Sequence, residues 1–262
     1  MGRLAGMPQP TAFVRSVPDS FAGALAGTAP VPAIDVGTAR RQHDRYARCL
    51  SDGGFQVEHL GTPDAFADGP FIEDTGVLLA GTLILTRPGA PSRRGETDGV
   101  GEALGDRFEI RSIEGPGTLE GGDVLRMGGR IFVGRSSRTN DEGIRQLAVI
   151  AAGQGIETIP VPVRNALHLK SIVTPLTDAV LIAAPGHFDP EVFNGFEVHW
   201  VASEREVNVL ALPDGRILIP ASKHTLQEVV TLAGCTVVTV NVSEFEKADG
   251  GLTCLSLRTN DG

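Results

Sequence analysis

The chain has 262 residues, with 23 Lys and Arg against 32 Asp and Glu and a formal net charge of −9. This acidic balance disfavours nucleic acid and anionic membranes as partners and is compatible with a cationic ligand. No apolar run approaches the roughly 18 residues that a membrane-spanning helix needs. The three cysteines, Cys49, Cys235 and Cys254, have no paired spacing and indicate free thiols in a reducing compartment. We therefore expect a cytoplasmic globular protein.

Residues 1–10 lack the apolar core of a signal peptide, and we expect them to be a disordered extension. Beyond them, four segments repeat one pattern, in which a tight turn with Gly, Pro or Asp joins two short apolar strands. These hairpins start at Val77, Val124, Ile172 and Val209. Each is followed by a helical pattern and one more strand.

In chain order, helices are predicted over 40–50, 96–104, a segment opened by Thr139, and 222–233, and the strands after them over 55–60, 108–113, 156–163 and 236–242. Thr139 with Glu142 is a capping-box pattern. The last strand is predicted over 250–258, with Cys254 at its mouth. The strand-strand-helix-strand unit thus occurs about five times if the terminal strands complete one unit. A single unit cannot bury its own faces, so the units must close around a common axis.

Polar residues fall at equivalent places in these units, just ahead of the first hairpin strand. They are Glu73 and Asp74, Glu120 and Asp123, His168, Asn208 and Cys254. Each has an ordinary explanation alone, as a solvated carboxylate, a structural histidine or a core thiol. Their coincidence within an independently found repeat favours convergence on one central cavity. Asn208 is expected to be a turn or network residue outside the site.

The predicted constellation has a chemical logic. Cys254 would be a nucleophile, and only its thiolate reacts, so a cationic His168 or a bound cationic substrate would have to favour ionisation. His168 would also carry protons to a leaving amine and from an attacking water. Glu120 would orient the ring and favour the imidazolium.

Further charged residues indicate the ligand. Asp68 and Asp74, with Glu73 between them, form a predicted receptor for a cation such as a guanidinium, which binds carboxylates through paired hydrogen bonds. Arg93 and Arg138 would bind a carboxylate at the other end of a zwitterion. Together these residues describe an arginine-like substrate.

Six segments carry a resemblance to a known family: 71–74 (FIED), 86–94 (TRPGAPSRR), 119–124 (LEGGDV), 137–140 (SRTN), 167–170 (LHLK) and 251–254 (GLTC). In this order, they resemble the dimethylarginine dimethylaminohydrolases. The resemblance implies a pentein fold, a five-bladed α/β propeller of ββαβ units with pseudo-five-fold symmetry, in a single catalytic domain over 11–262. It implies hydrolysis of Nω-methylated arginines to citrulline and methylamine or dimethylamine, without a cofactor.

The resemblance also implies residue roles. Cys254 would form a covalent S-alkylthiouronium intermediate, and His168 would act as general acid and base. Asp68, Glu73 and Asp74 would bind the amine and guanidinium ends, and Arg93 and Arg138 the carboxylate. The segment 20–25 is similar to a lid that Leu25 closes, and Ala248 matches a position that contributes a backbone carbonyl, although the family carries a larger aliphatic residue there.

Three alternatives stay open at this point. The first is a deiminase acting on unmethylated arginine or a related guanidine, and the second is an arginine-binding protein without catalysis. The third, a zinc site on Cys254 and His168, lacks the close ligand spacing of structural zinc sites, and we expect no metal. A homodimer is also left open.

Overall fold

The computed structural model describes residues 9–259, so residues 1–8 of the expected extension lie outside the described part of the chain. The strands are β1 (Thr11–Arg15), β2 (Gln56–Leu60), β3 (Gly76–Leu79), β4 (Thr82–Leu85), β5 (Glu109–Ser112), β6 (Val124–Met127), β7 (Arg130–Arg135), β8 (Glu157–Pro162), β9 (Val173–Pro175), β10 (Val180–Ala183), β11 (Glu197–Trp200), β12 (Leu210–Ala211), β13 (Arg216–Pro220), β14 (Thr236–Val240) and β15 (Leu257–Arg258). The α-helices are α1 (Val36–Asp52), α2 (Glu96–Leu104), α3 (Asp141–Ala152), α4 (His224–Leu232) and α5 (Ser243–Glu246).

Within the described range these strands form five three-stranded sheets. In four sheets the strands are consecutive, the first strand antiparallel to the second and the second parallel to the third. The remaining sheet joins β15, from the end of the chain, to β1 and β2. We number the units by their sheets: the first contains β15, β1 and β2, the second β3–β5, the third β6–β8, the fourth β9–β11 and the fifth β12–β14. This confirms the predicted unit and its completion by the two terminal strands. No helix among residues 9–259 is long and apolar enough to cross a membrane.

The ring closes because adjacent units share hydrophobic cores. Successive side chains point to opposite faces of a strand, so the middle strand of each sheet contributes side chains to two hydrophobic cores. In β13, Ile217 packs in the core shared with the fourth unit, whereas Leu218 packs in the core shared with the first. In β1, Val14 packs against the fifth unit and Phe13 against the second. The alternation that identified the strands therefore also holds neighbouring blades together.

The helix expected in the fourth unit is absent from the described residues, which corrects the prediction. The crossover from β10 to β11 contains only a 3-10 turn, Pro190–Phe193. Pro185, Gly186 and Gly195 lie in the same crossover, and this density of proline and glycine prevents a longer helix. Phe193 fills the space a helix would have covered, since it is buried with its ring 4.8 Å from that of Phe132.

Two further local predictions were wrong. Helix α3 is capped by Asn140, whose side chain accepts from the Gly143 N–H at 2.9 Å, and not by Thr139. The predicted strand over 250–258 shrinks to β15, because Cys254 lies in a 3-10 turn, Thr253–Leu255. Leu255 is buried while Cys254 is only partly buried, so the apolar alternation came from a turn and not from an extended strand.

Replacing Phe193 with Ala should destabilise the fold by about 3–5 kcal/mol, the usual cost of deleting a buried aromatic ring. Phe193 is 1% exposed and contacts both Phe132 and Phe188. The free energy of unfolding in urea measures this effect. Val149→Ala on α3 is the control, because Val149 is 63% exposed and should change stability by less than about 0.5 kcal/mol. Equal effects of the two substitutions would contradict this account of the fourth unit.

Candidate active site

Four short 3-10 turns lie just ahead of the first strand of their units and meet around the axis: Ile72–Thr75, Gly121–Asp123, Leu169–Ser171 and Thr253–Leu255. The first turn contacts the second and the fourth, and the second contacts the third. Glu73, Asp74 and Cys254 lie within these turns, and Glu120 and His168 directly precede theirs. The structure thus brings together the residues that occupy equivalent repeat positions.

His168 is buried between carboxylates. Its Nε2 lies 2.6 Å from Oε2 of Glu120 and 4.0 Å from Oδ1 of Asp74. The second oxygen of Glu120 accepts from the Gly89 N–H at 3.0 Å and lies 3.6 Å from Nη1 of Arg138. Glu120 is therefore held by the 86–94 loop on one side and holds the imidazole on the other.

These carboxylates keep the ring ionised. Burial alone lowers the pKa of His168, but the charge of Asp74, the hydrogen bond that the ring donates to Glu120 and the charge of Asp123 outweigh it and raise the pKa to about 9. Asp123, which sequence reasoning noted without including in the site, is fully buried, and burial raises its pKa to about 6. It accepts from the Leu169 N–H at 2.9 Å and so fixes the turn that follows His168.

Gly122 explains the glycine pair in the 119–124 segment. A Cβ at this position would lie 2.5 Å from Nδ1 of His168 and 2.9 Å from Oδ1 of Asp74. The Gly122 N–H donates to the same Asp74 oxygen at 3.0 Å. Only glycine lets the backbone approach both catalytic candidates this closely.

Glu73 is the centre of a network that sequence reasoning largely missed. Its Oε1 lies 2.6 Å from Nζ of Lys170 and 3.4 Å from Nη2 of Arg258. Its Oε2 accepts from the Thr253 hydroxyl at 3.0 Å. Lys170 belongs to the 167–170 segment that carried the resemblance, which was the available signal. Arg258 had no signal in the sequence.

Cys254 is partly buried, and its sulfur accepts from the Gly251 N–H at 3.4 Å. Burial and the charges of Glu73 and Asp74 raise the pKa of the thiol to about 12, while the Gly251 hydrogen bond and Lys170 oppose the rise. The sequence left two routes to a thiolate open, a cationic His168 or a bound cationic substrate, and in the unliganded protein the raised pKa keeps the thiol neutral beside an ionised His168. The remaining route in the sequence-based hypothesis is a bound cation.

Asn208 supports the cysteine turn from the side. Its Oδ1 accepts from the Thr253 N–H at 3.1 Å, and its Nδ2 donates to the Thr253 hydroxyl at 3.0 Å and the Lys170 carbonyl at 3.2 Å. The expectation that Asn208 is a network residue is confirmed.

Arg93 lies in a different setting from the expected one. It is 5% exposed, and its guanidinium contacts Asp74 at 2.6 Å and Glu96 at 2.9 Å. It also donates to the Phe71 carbonyl at 3.0 Å. The guanidinium thus orients Asp74 from inside the protein. Arg138 is the more accessible of the two arginines, with its side chain 24% exposed beside Glu120. Contact of either arginine with a ligand carboxylate stays a prediction.

The expected lid lies over Asp68. Asp19–Gly23 forms a 3-10 turn, and the Leu25 N–H donates to Oδ1 of Asp68 at 3.0 Å. Burial raises the pKa of Asp68 against the opposing charge of Arg93. The Leu25 side chain is 44% exposed, whereas Ala248 is buried in the core between the first and fifth units.

A metal would find a different donor set from the one considered in the sequence. Donor atoms of Asp74, Glu120 and His168 lie within 4.8 Å of one another, and Cys254 is not among them. Metal binding requires a neutral imidazole, so a cation here would have to displace the proton that a pKa of about 9 keeps on His168. The set therefore favours a proton.

Comparison with known proteins decides the family. The sequence matches no protein-family model. It is 37% identical over 97% of its length to the N(G),N(G)-dimethylarginine dimethylaminohydrolase of Streptomyces coelicolor, and covers 99% of that protein. It is 34% identical over 86% of its length to the Pseudomonas aeruginosa enzyme of the same name, and covers 89% of it. The chain belongs to the dimethylarginine dimethylaminohydrolase family.

Solved structures agree. A dimethylarginine dimethylaminohydrolase adduct with S-methyl-L-thiocitrulline superposes with a TM-score of 0.90 at 30% identity, covering 96% of this chain and all of that one. A mutant of the Pseudomonas aeruginosa enzyme complexed with citrulline gives 0.89 at 32% identity over the same shares. The N-terminal domain of ArgZ, an arginine dihydrolase, gives 0.85 at 19% identity over 96% of this chain and 98% of that domain, which shows the fold alone. The five-bladed pentein propeller is confirmed.

Replacing Glu120 with Gln should lower the pKa of His168 from about 9 towards 6.5, because the substitution removes one of the charges that favour the imidazolium. The ring C–H chemical shift, followed by NMR against pH, measures this. Because the folded-state pKa is raised, the stabilising contribution of ionised His168 is complete below about pH 6.5 and is lost as pH rises through about 9. Glu120→Gln should shrink that window.

The matched control is Glu197→Gln, which removes an exposed carboxylate 2.9 Å from another histidine, His199. It should leave the titration of His168 unchanged. An unaltered His168 titration in Glu120→Gln would mean that the carboxylate does not sustain the imidazolium.

Proposed function

We propose that this chain hydrolyses Nω-methylated arginines, monomethylarginine and asymmetric dimethylarginine, to citrulline and methylamine or dimethylamine. The observation that carries the proposal is the shared environment of Cys254 and His168. Buried carboxylates keep the imidazole ionised and the thiol neutral until a cation enters. A guanidinium is such a cation, and the family membership supports a methylated one. We also propose that 11–262 form one catalytic domain. A cytoplasmic location and a homodimer stay predictions.

Asp68, Glu73 and Asp74 would bind the two cationic ends of the substrate through charge-assisted hydrogen bonds, the guanidinium against Glu73 and Asp74 and the amine against Asp68 under the lid. The positive charge of the guanidinium offsets the carboxylates that raise the thiol pKa, so binding favours release of the thiol proton to solvent. The thiolate of Cys254 then attacks the guanidinium carbon. This order makes the nucleophile reactive only when substrate is in place.

Proton transfer would follow through His168. The imidazolium donates its proton to the departing methylamine or dimethylamine, which leaves an S-alkylthiouronium on Cys254 and a neutral ring. The neutral ring then takes a proton from water, whose oxygen attacks the same carbon. Collapse of the adduct breaks the C–S bond and expels the thiolate, and the hydroxyl proton passes to the sulfur, which releases citrulline and restores the neutral thiol beside the imidazolium. Glu120 keeps the ring oriented throughout.

The amino acid end of the substrate would lie towards the lid and the arginines. Arg138 is the accessible partner for the α-carboxylate, and Arg93 holds Asp74 in place while adding positive charge at that end. Leu25 would close over the substrate, and the backbone carbonyl of Ala248 would accept from the amino group.

Citrulline release from asymmetric dimethylarginine, with plain arginine run in parallel, tests the proposal. We expect turnover of the methylated substrate and a kcat/KM for arginine lower by at least about tenfold, since one or two methyl groups are worth a few kcal/mol in a pocket. Cys254→Ser should abolish turnover, whereas Cys235→Ser, at the hydrophobic core that the fourth and fifth units share, should retain it. A preference for arginine would move the chain to deiminase chemistry, and turnover by Cys254→Ser would exclude the assigned nucleophile.

The unliganded thiol should also show its raised pKa directly. Only the thiolate is alkylated, so the rate of Cys254 modification by iodoacetamide should rise about tenfold per pH unit from about pH 7 to 10, without the plateau that an ordinary thiol shows above its pKa of about 8.5. Peptide mass spectrometry separates Cys254 from Cys49 and Cys235. A plateau within this range would mean that the thiolate exists before substrate arrives.

A further inference from the structure

Arg258 reaches from the last strand back to the cysteine turn. Its side chain is buried, and Nη1 donates to the carbonyl of Thr253 at 3.2 Å, the carbonyl of Ser256 at 3.1 Å and the hydroxyl of Ser256 at 2.6 Å. Its Nη2 lies 3.4 Å from Oε1 of Glu73. One guanidinium therefore contacts Thr253, which precedes Cys254, Ser256, which lies two residues after it, and the carboxylate of Glu73.

The cysteine turn depends on such anchors. A three-residue 3-10 turn has almost no hydrogen-bond ladder of its own, so side chains must fix its position. The Tyr46 hydroxyl contacts the Leu252 carbonyl at 2.8 Å and the Ser256 hydroxyl at 2.7 Å. Asn208 holds Thr253 from the other side. Among these anchors, Arg258 also contacts a carboxylate proposed to receive the substrate.

Lys170 and Arg258 contact the same oxygen of Glu73 but differ in the hydrogen-bond geometry that their charged groups allow. The Lys170 ammonium is a compact charge 2.6 Å away and compensates the buried carboxylate. The Arg258 guanidinium is a planar fork, so it can bind the carboxylate and two backbone carbonyls at once in a fixed geometry. Compensation of charge would not require both residues. The Thr253 hydroxyl already joins the cysteine turn to Glu73 at 3.0 Å, and the guanidinium adds the backbone carbonyls of Thr253 and Ser256 to that link.

We propose that Arg258 is a positioning residue that fixes Cys254 relative to Glu73, and therefore the sulfur relative to the guanidinium carbon. The proposal rests on the proposed function for its substrate. Displacement of reacting groups by about 1 Å can cost roughly 10²-fold in rate. Loss of the fork should therefore act on the chemical step, and the backbone pairing of Arg258 with Ala12 survives any side-chain change.

Arg258→Met and Arg258→Lys test this against Arg126→Met. Arg126 lines the same small cavity as Arg258, is half-buried, and its Nη1 donates to the Leu78 carbonyl at 3.5 Å and not to the cysteine turn. The folded fraction of each variant, titrated from its unfolding curve, gives the number of sites, so unfolded protein does not count. We expect kcat to fall at least about tenfold in Arg258→Met, by less in Arg258→Lys, and by under about twofold in Arg126→Met, with smaller changes in KM. Unchanged kcat per titrated site in Arg258→Met would overturn the proposal.

A second measurement does not need turnover. Cys254 is alkylated in each variant by neutral iodoacetamide and by a chloroacetamidine, whose cationic amidine must bind the carboxylates to react well. Arg258→Met should lower the ratio of the cationic to the neutral rate constant at least about fivefold, because the sulfur no longer faces the receptor. An unchanged ratio, or an equal fall in Arg126→Met, would reduce Arg258 to a structural role. Absence of citrulline from the unsubstituted protein would contradict the proposed function and leave this ratio as the test of Arg258.

Discussion

The blades meet at the axis through paired buried charges, and the ion pair between Glu73 and Lys170 is the contact on which the rest depends. Glu73 comes from the second unit and Lys170 from the fourth, so the pair spans the centre of the ring. A buried carboxylate that loses its partner costs several kcal/mol. Apolar cores join each blade only to its neighbours, whereas this pair joins blades that are not adjacent. The pair therefore fixes the relative positions of the turns that carry the other candidate residues.

Asp74, the next residue, faces two cations. Arg93 contacts one of its oxygens from inside the protein, and the His168 ring lies 4.0 Å from the other. The negative charge of Asp74 raises the pKa of His168, and, together with burial and the charge of Glu73, it raises the pKa of the Cys254 thiol, so the ring is ionised and the thiol is neutral. The resting site is therefore arranged to receive positive charge. The same arrangement favours cationic ligands over neutral or anionic ones.

The repeat and the strand register could be predicted from the sequence because both depend on local patterns. Two-residue alternation and turn residues identified the hairpins, and their equivalent positions brought Glu73, Glu120 and His168 to one place. The errors arose where tertiary context overrides local pattern. The apolar alternation before Arg258 belongs to a turn that packs on the core and not to a strand. In the crossover of the fourth unit, a short turn with the buried Phe193 takes the place of the expected helix. Arg93 could be identified as important, but not that its guanidinium faces inward, because that depends on Asp74 and Glu96 in three dimensions.

Arg258 shows the limit most clearly. No spacing links it to Glu73, which lies in the second unit, and only closure of the ring brings the two together. The strand that pairs with β1 to complete the first blade directly follows the turn that carries Cys254. The first blade therefore has its third strand, and the site its proposed nucleophile, only when the last strand has paired with β1. Arg258 lies where these two features meet, and its side chain ties the strand, the cysteine turn and Glu73 together.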